Sequence, residues 1–197
     1  MRLLKSSVPC LIQVERVYLR WGQWLKCSKG VNVERVVDVA QYVMNKYKEI
    51  SGESLDEMKL HKLLYFAQRE CFAVQGSALF GEDLEGWMYG PVSVDVRMVF
   101  ASDHLETTTR EVSPDAMHIL DNVIVEYAPI ESWKLSKMSH EELSWRNARK
   151  GLGPRDCGQK ILALDDIRKD AEKVRPYDHV WDMYYDEFDD VEEVMQI

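Results

Sequence analysis

His140-Glu141-Glu142-Leu143-Ser144 begins as the H-E-x-x-H zinc motif does. That motif needs two imidazoles one helical turn apart, with a glutamate as general base. Here the second ligand position holds Ser144, so the spacing for a metal fails. Read instead as Ser139-x-x-Glu142, the same residues form a capping box, in which serine and glutamate satisfy helix-end amides. His61, His104, His118 and His179 show no metal-ligand spacing. Glu82, Asp83 and Glu85 lie close enough for acid/base work, but no partner residue accompanies them. A small hydrolase using His140 with Glu142 or this carboxylate cluster is the enzymatic alternative. The chain has no G-x-S-x-G elbow and no Gly-rich turn leading into a phosphate-type lysine. Cys10, Cys27, Cys71 and Cys157 include no C-x-x-C pair. No catalytic set, metal or cofactor is therefore assigned, and binding is the expected activity.

The best binding candidate is Trp87-Met88-Tyr89-Gly90-Pro91. Aromatics beside a rigid Gly-Pro turn make good anchors, because Trp and Tyr dominate interface energetics. Tyr89 reads as a contact residue. For Trp87, contact and core are equally compatible with the pattern.

These residues need a scaffold. The strongest helix runs from about Asp56 to Val74. Ser54 and Glu57 offer a capping box, Asp56 a competing cap, and Gly76 a stop. Leu60, Leu63, Leu64, Ala67, Cys71 and Val74 form one stripe; His61, Tyr65, Gln68 and Phe72 form a second. Two stripes imply a central helix, with Lys59 and Lys62 left on the wet side and Cys71 a buried free thiol. Before it, Asn32 is expected to cap a helix from Val33 to about Ile50, with Val33, Val36, Val37, Ala40, Met44 and Tyr47 inward. The Gly-rich stretch from Leu79 to Trp87 suggests one or two short strands. Val92, Val94 and Val96 alternate as a strand would, but Ser93 could equally cap a helix burying Val96, Val99 and Phe100. Thr107–Thr109 reads as a loop. Ser113-Pro114 opens the next helix, with Met117, Leu120, Val123, Ile124 and Tyr127 inward. A short helix is expected at Ser132–Lys137. Another, carrying Leu143, Trp145 and Ala148, ends at Gly151. A brief extended piece follows at Ile161-Leu162, then a last body helix from Asp165 to Val174.

The two ends differ from this body. Residues 1–30 carry six Lys or Arg against one acid, whereas the whole chain has a net charge of −9. Leu11, Val14, Tyr18, Trp21 and Leu25 make this a basic amphipathic segment. It fits a membrane surface, a partner, a helix packed on the body, or an extension ahead of a true start near Val31. Residues 176–197 form an acidic, aromatic tail. Tyr177, Trp181, Tyr184, Phe188, Val191 and Met195 fall at helical spacing among eight acids. Such a tail suits a basic partner, including one that works on RNA, or a helix docked on the body. The acidic body argues against direct nucleic-acid binding. The lack of any membrane-length apolar run and the free cysteines favour a cytoplasmic protein.

Three blocks resemble the Panacea domain, the SocA-like antitoxin or phage-associated GepA-like family. The first is Met58-Lys59-Leu60-His61-Lys62-Leu63-Leu64-Tyr65-Phe66-Ala67-Gln68. The second is Leu79-Phe80-Gly81-Glu82 with Glu85-Gly86-Trp87-Met88-Tyr89-Gly90-Pro91-Val92. The third runs from Leu135 through Ser139, His140, Glu142 and Trp145 to Ala148. His61, Gly86 and Ser144 stand where the family usually has Gln, Ala and Pro. The resemblance spans about residues 32–175. It implies a mainly α fold, a compact helical domain with a small β element near residues 79–88, and a helix after Pro91. It also implies an antitoxin that binds a cognate toxin encoded beside it, with a cytoplasmic protease as a further partner in related members. Candidate partner-binding residues are Trp87, Tyr89, Gly90, Pro91, His61, Trp181 and Tyr184. Lys59, Leu60, Leu63, Leu64, Tyr65, Ser139, His140, Glu142 and Trp145 carry the structural motif.

Overall fold

The computed structural model describes residues 33–101 and 110–174. The basic N-terminal segment, the threonine loop and the acidic tail, with Trp181 and Tyr184, lie outside the described residues. Seven helices and one two-stranded sheet are present among those described: α1 (Val36–Ser51), α2 (Glu57–Gln75), β1 (Glu85–Trp87), β2 (Gly90–Val92), α3 (Val94–Ala101), α4 (Pro114–Tyr127), α5 (Ser132–Glu141), α6 (Leu143–Ala148) and α7 (Leu164–Ala171). The fold is mainly α, as the sequence predicts.

Helix α2 is the axis. Every residue from Leu60 to Phe72 is buried, and α1, α4, α5, α7 and β2 all pack against it. A helix with two inward stripes must be enclosed on more than one side, and here the polar His61, Lys62, Gln68, Arg69 and Glu70 are enclosed as well. Val74, predicted inward, is exposed because the helix emerges from its neighbours in the last turn. Asp56 wins the competition to cap α2, its Oδ1 accepting from Lys59 N at 2.9 Å. Ser54–Glu57 is not the box expected, since Glu57 instead pairs with Arg97 at 3.0 Å. Gly76 ends the helix at φ 71°, a left-handed position suited to glycine.

Two predicted helix starts move for one reason: the cap comes from elsewhere in the fold. Asn32 lies outside the described residues, and Val33, expected inward on the helix, is non-helical and exposed. Glu34 N donates to Leu79 O at 2.8 Å, so this stretch stays extended and α1 begins at Val36. The Val36 amide is met by Glu82 Oε2 at 3.1 Å. Likewise Ser139 and Glu142 form no capping box. Ser139 lies inside α5, buried, its Oγ donating to Ser136 O at 2.7 Å. The chain breaks at Glu142, which is extended at ψ 143°. Asp170 of α7 then accepts from the first amides of α6, Leu143 N at 2.8 Å and Ser144 N at 2.9 Å.

β1 and β2 form an antiparallel hairpin, with Glu85 opposite Val92 and Trp87 opposite Gly90. The far edge of β1 is covered by the Ile161 segment: Gly86 N donates to Lys160 O and Leu162 N to Leu84 O. The valine alternation resolves as a helix from Val94, with Ser93 Oγ accepting from Val96 N at 3.3 Å. Ser113 caps α4 ahead of Pro114 as predicted.

Candidate partner-binding face

The hairpin lies over the face of the bundle made by α2, α5 and α6. Its backbone is held from below, carbonyl by carbonyl. Gly86 O accepts from Arg149 Nη1 at 3.2 Å, and Trp87 O from Trp145 Nε1 at 2.9 Å. The His140 ring hydrogen-bonds the Met88 backbone. Tyr89 O accepts from Ser136 Oγ at 2.8 Å, and Pro91 O from Lys62 Nζ at 2.8 Å. Five donors from three helices thus fix one short hairpin. What remains free is the side chains at its tip: Tyr89 is 59% exposed, and Trp87 and Met88 are half-buried. Trp87 is not core. Its Nε1 donates to Glu85 Oε2 at 2.8 Å, and Arg97 lies over its ring, 5.0 Å from the centroid. Met98 and Val94, on the same helix as Arg97, are exposed as well.

The other predicted contact residues lie beneath this face. Gly90 and Pro91 are buried. Gly90 sits at φ 105°, and a Cβ there would come within 2.5 Å of both Lys62 Cε and Ser139 Oγ. The glycine is needed for this close approach. His61 is only 2% exposed, so no partner reaches it. Its Nδ1 accepts from Ser93 N at 3.4 Å, and its Nε2, 3.6 Å from Glu57, has no hydrogen-bond partner. Burial, with Lys62 and Arg97 nearby, lowers its pKa to about 3.

Lys62 corrects the sequence reading most clearly. Expected in water, it is 1% exposed. Its stem runs under Gly90 and its ammonium meets a carbonyl rather than a carboxylate. Burial lowers its pKa to about 7, with Asp56 pulling weakly the other way. The two stripes leave α2 little wet side, but nothing local shows which group meets Lys62 there. Lys59 is half-buried too, donating to Ala128 O at 3.0 Å. Leu60, Leu63, Leu64 and Tyr65 are core, as expected.

The candidate acid/base residues serve the fold. Glu82 caps α1 and Glu85 holds Trp87. His140 stacks on Trp145 at 3.9 Å between centroids, and burial lowers its pKa. Glu142 points the other way, to Arg69 Nη1 at 2.6 Å. Burial raises its pKa, against the pull of Arg69. His140 and Glu142 are thus neighbours in sequence engaged with different partners. Cys71 is buried, which pushes its thiol up to about 12. Among the described residues no group of three or more His, Cys, Asp or Glu could hold a metal ion, and no helix is long and apolar enough to cross a membrane.

The comparisons with known proteins agree with the resemblance. Residues 60–146 match the family model of the antitoxin SocA-like, Panacea domain. This span runs from α2 to α6 and contains the hairpin together with four of the five side chains that hold it, Arg149 lying just beyond. No curated protein matches the chain, and no solved structure does.

Proposed function

We propose that this protein is an antitoxin that neutralises a toxin encoded beside it by direct protein–protein binding through the hairpin face. The family match supports the antitoxin role. The observation that carries the mode of action is the clamped hairpin, which holds Tyr89 and Trp87 out from a fixed backbone. Association costs side-chain and loop ordering, and a contact surface ordered in advance avoids much of that cost. Aromatic anchors on such a support are suited to inserting into a partner's cleft.

Co-expression with the product of the adjacent gene tests the reading. The neighbour alone should arrest growth, and this protein should restore it. Tyr89→Ala should lose most of the rescue while changing unfolding free energy by no more than about 0.5 kcal/mol, since the ring is exposed. A harmless neighbour overturns the antitoxin reading; full rescue by Tyr89→Ala overturns the assignment of the face. Pulse-chase of the toxin separates occlusion, which leaves it intact, from delivery to a protease.

A further inference from the structure

Residues 146–160 hold five Lys or Arg against one acid, on a chain whose net charge is −9. The fold brings those charges together. Arg149, just past the end of α6, is buried, and the chain from Gly151 onward is wound around its guanidinium. Nη2 donates to Gly153 O at 3.0 Å and to Asp156 O at 2.9 Å, while Nη1 reaches across to Gly86 O at 3.2 Å. All three acceptors are carbonyls rather than carboxylates. The one acid of the segment, Asp156, is engaged within the loop, its Oδ2 accepting from Gly153 N at 2.6 Å.

Arg146, Lys150, Arg155 and Lys160 stand exposed around this buried centre. Among the described residues none of the four makes an ion pair. The acids that follow already have cations of their own, Asp165 with Arg168 at 3.5 Å and Asp166 with Lys169 at 3.0 Å. The loop is also seated firmly on the hairpin. Gly86 N donates to Lys160 O at 2.9 Å, so the Gly86 peptide is bonded by Lys160 on one side and Arg149 on the other. Gly158 lies so close to Gly86 O that a Cβ there would collide with it.

Like charges held together on a fixed support favour an anion that covers them. A nucleic acid carries charge along its whole length and is held by phosphate contacts spread over a basic face. Here the positive charge belongs to one loop, and beyond a screening length of about 8–10 Å a polyphosphate meets a chain that is acidic overall. A short acidic stretch of polypeptide meets only the loop. We infer that the loop wound around Arg149 is a docking surface for such a stretch, contacted by Arg146, Lys150, Arg155 and Lys160. A protein seated on Trp87 and Tyr89 can present it, because β1 is bonded to the loop through Gly86. The inference stands apart from the antitoxin reading, since it names the chemistry of a contact and not the activity of the partner.

Fluorescence anisotropy of a labelled deca-glutamate peptide, titrated with the full chain at low salt, tests it. The wild type should bind, and binding should weaken as salt is raised. Lys150→Glu combined with Arg155→Glu removes two attractions and adds two repulsions, and should weaken binding about tenfold or more. Lys48→Glu combined with Lys137→Glu changes the net charge equally on α1 and α5, and should weaken it by no more than about twofold. All four side chains are exposed, so an unchanged unfolding midpoint is expected and shows that each variant is folded. A labelled decathymidylate should bind more weakly than the peptide. Failure of the wild type to bind the peptide would overturn the inference, as would equal losses in the two double variants. So would tighter binding of decathymidylate that the Lys150 and Arg155 substitutions abolish, which would make the loop a nucleic-acid surface.

Discussion

At the scale of single residues, burial decides more than residue type. His61 and Lys62 sit side by side on α2, both polar, both enclosed. Each is held away from its ordinary protonation state by loss of water. For His61 the sign follows directly. The folded protein keeps the ring neutral down to about pH 3, whereas the unfolded chain binds a proton below about 6.5. Between these values the unfolded state holds more protons, so stability falls as the pH falls. His61→Gln places an uncharged amide there and should remove this component. Urea unfolding of both proteins at pH 7 and pH 4 is the measurement. The wild type should lose up to about 1.4 kcal/mol per pH unit more than the variant across that window. Equal losses would mean that His61 is charged in the fold.

At the scale of elements, the sequence disclosed what local chemistry controls. Ser113-Pro114, Gly76 and the two stripes of α2 need only near neighbours, and all but Val74 behave as read. The misplacements share a cause that no local pattern carries. α1 and α6 are capped by carboxylates 46 and 26–27 residues away, so α1 starts later than the local pattern says and Ser139, a good local cap, is not used as one. Lys62 was misplaced because its acceptor, Pro91 O, arrives from a hairpin 29 residues on. Tyr89 could be singled out from its type and turn. The five donors that hold its hairpin could not, because they come from three different helices. Gly90 shows how tightly hairpin and floor are matched. Gly90→Ala adds a methyl group at φ 105° against Lys62 and Ser139. Backbone strain alone costs about 1–3 kcal/mol, and the overlap adds to it. The variant should unfold at lower denaturant by roughly 2–4 kcal/mol, and exchange at the hairpin amides should quicken more than in α4. A wild-type midpoint would show that the hairpin is not seated on α2.

At the scale of the whole molecule, the apolar core is joined by a polar network that touches most elements around α2. Arg69 lies over the Phe66 ring, which stacks on Tyr127 at 4.5 Å between centroids. Its Nη2 donates to Glu70 Oε1 and to Tyr127 OH, each at 2.8 Å, and its Nη1 to Glu142 at the α5–α6 break. Lys173 Nζ, 3.8 Å from Glu142 Oε2 and 3.2 Å from Asp170 Oδ1, links the network to Asp170, which caps α6 from α7 and accepts from Tyr65 OH. One guanidinium thus ties α2 to α4 and to the α5–α6 junction, with α7 reached through Lys173. Replacing such a network with apolar groups can be neutral, but removing one partner leaves buried charge uncompensated. Glu70 is fully buried and its Oε2 already lacks a partner, so Arg69 is the charge that cannot be spared. Arg69→Ala should cost about 3–5 kcal/mol. Adding Glu70→Gln should recover a large part of it, because the lone buried carboxylate is then gone. A double-mutant cycle on unfolding free energies measures the coupling. If the second substitution only adds to the first, the pair is not coupled, and α4 and α7 are held to α2 by apolar packing alone.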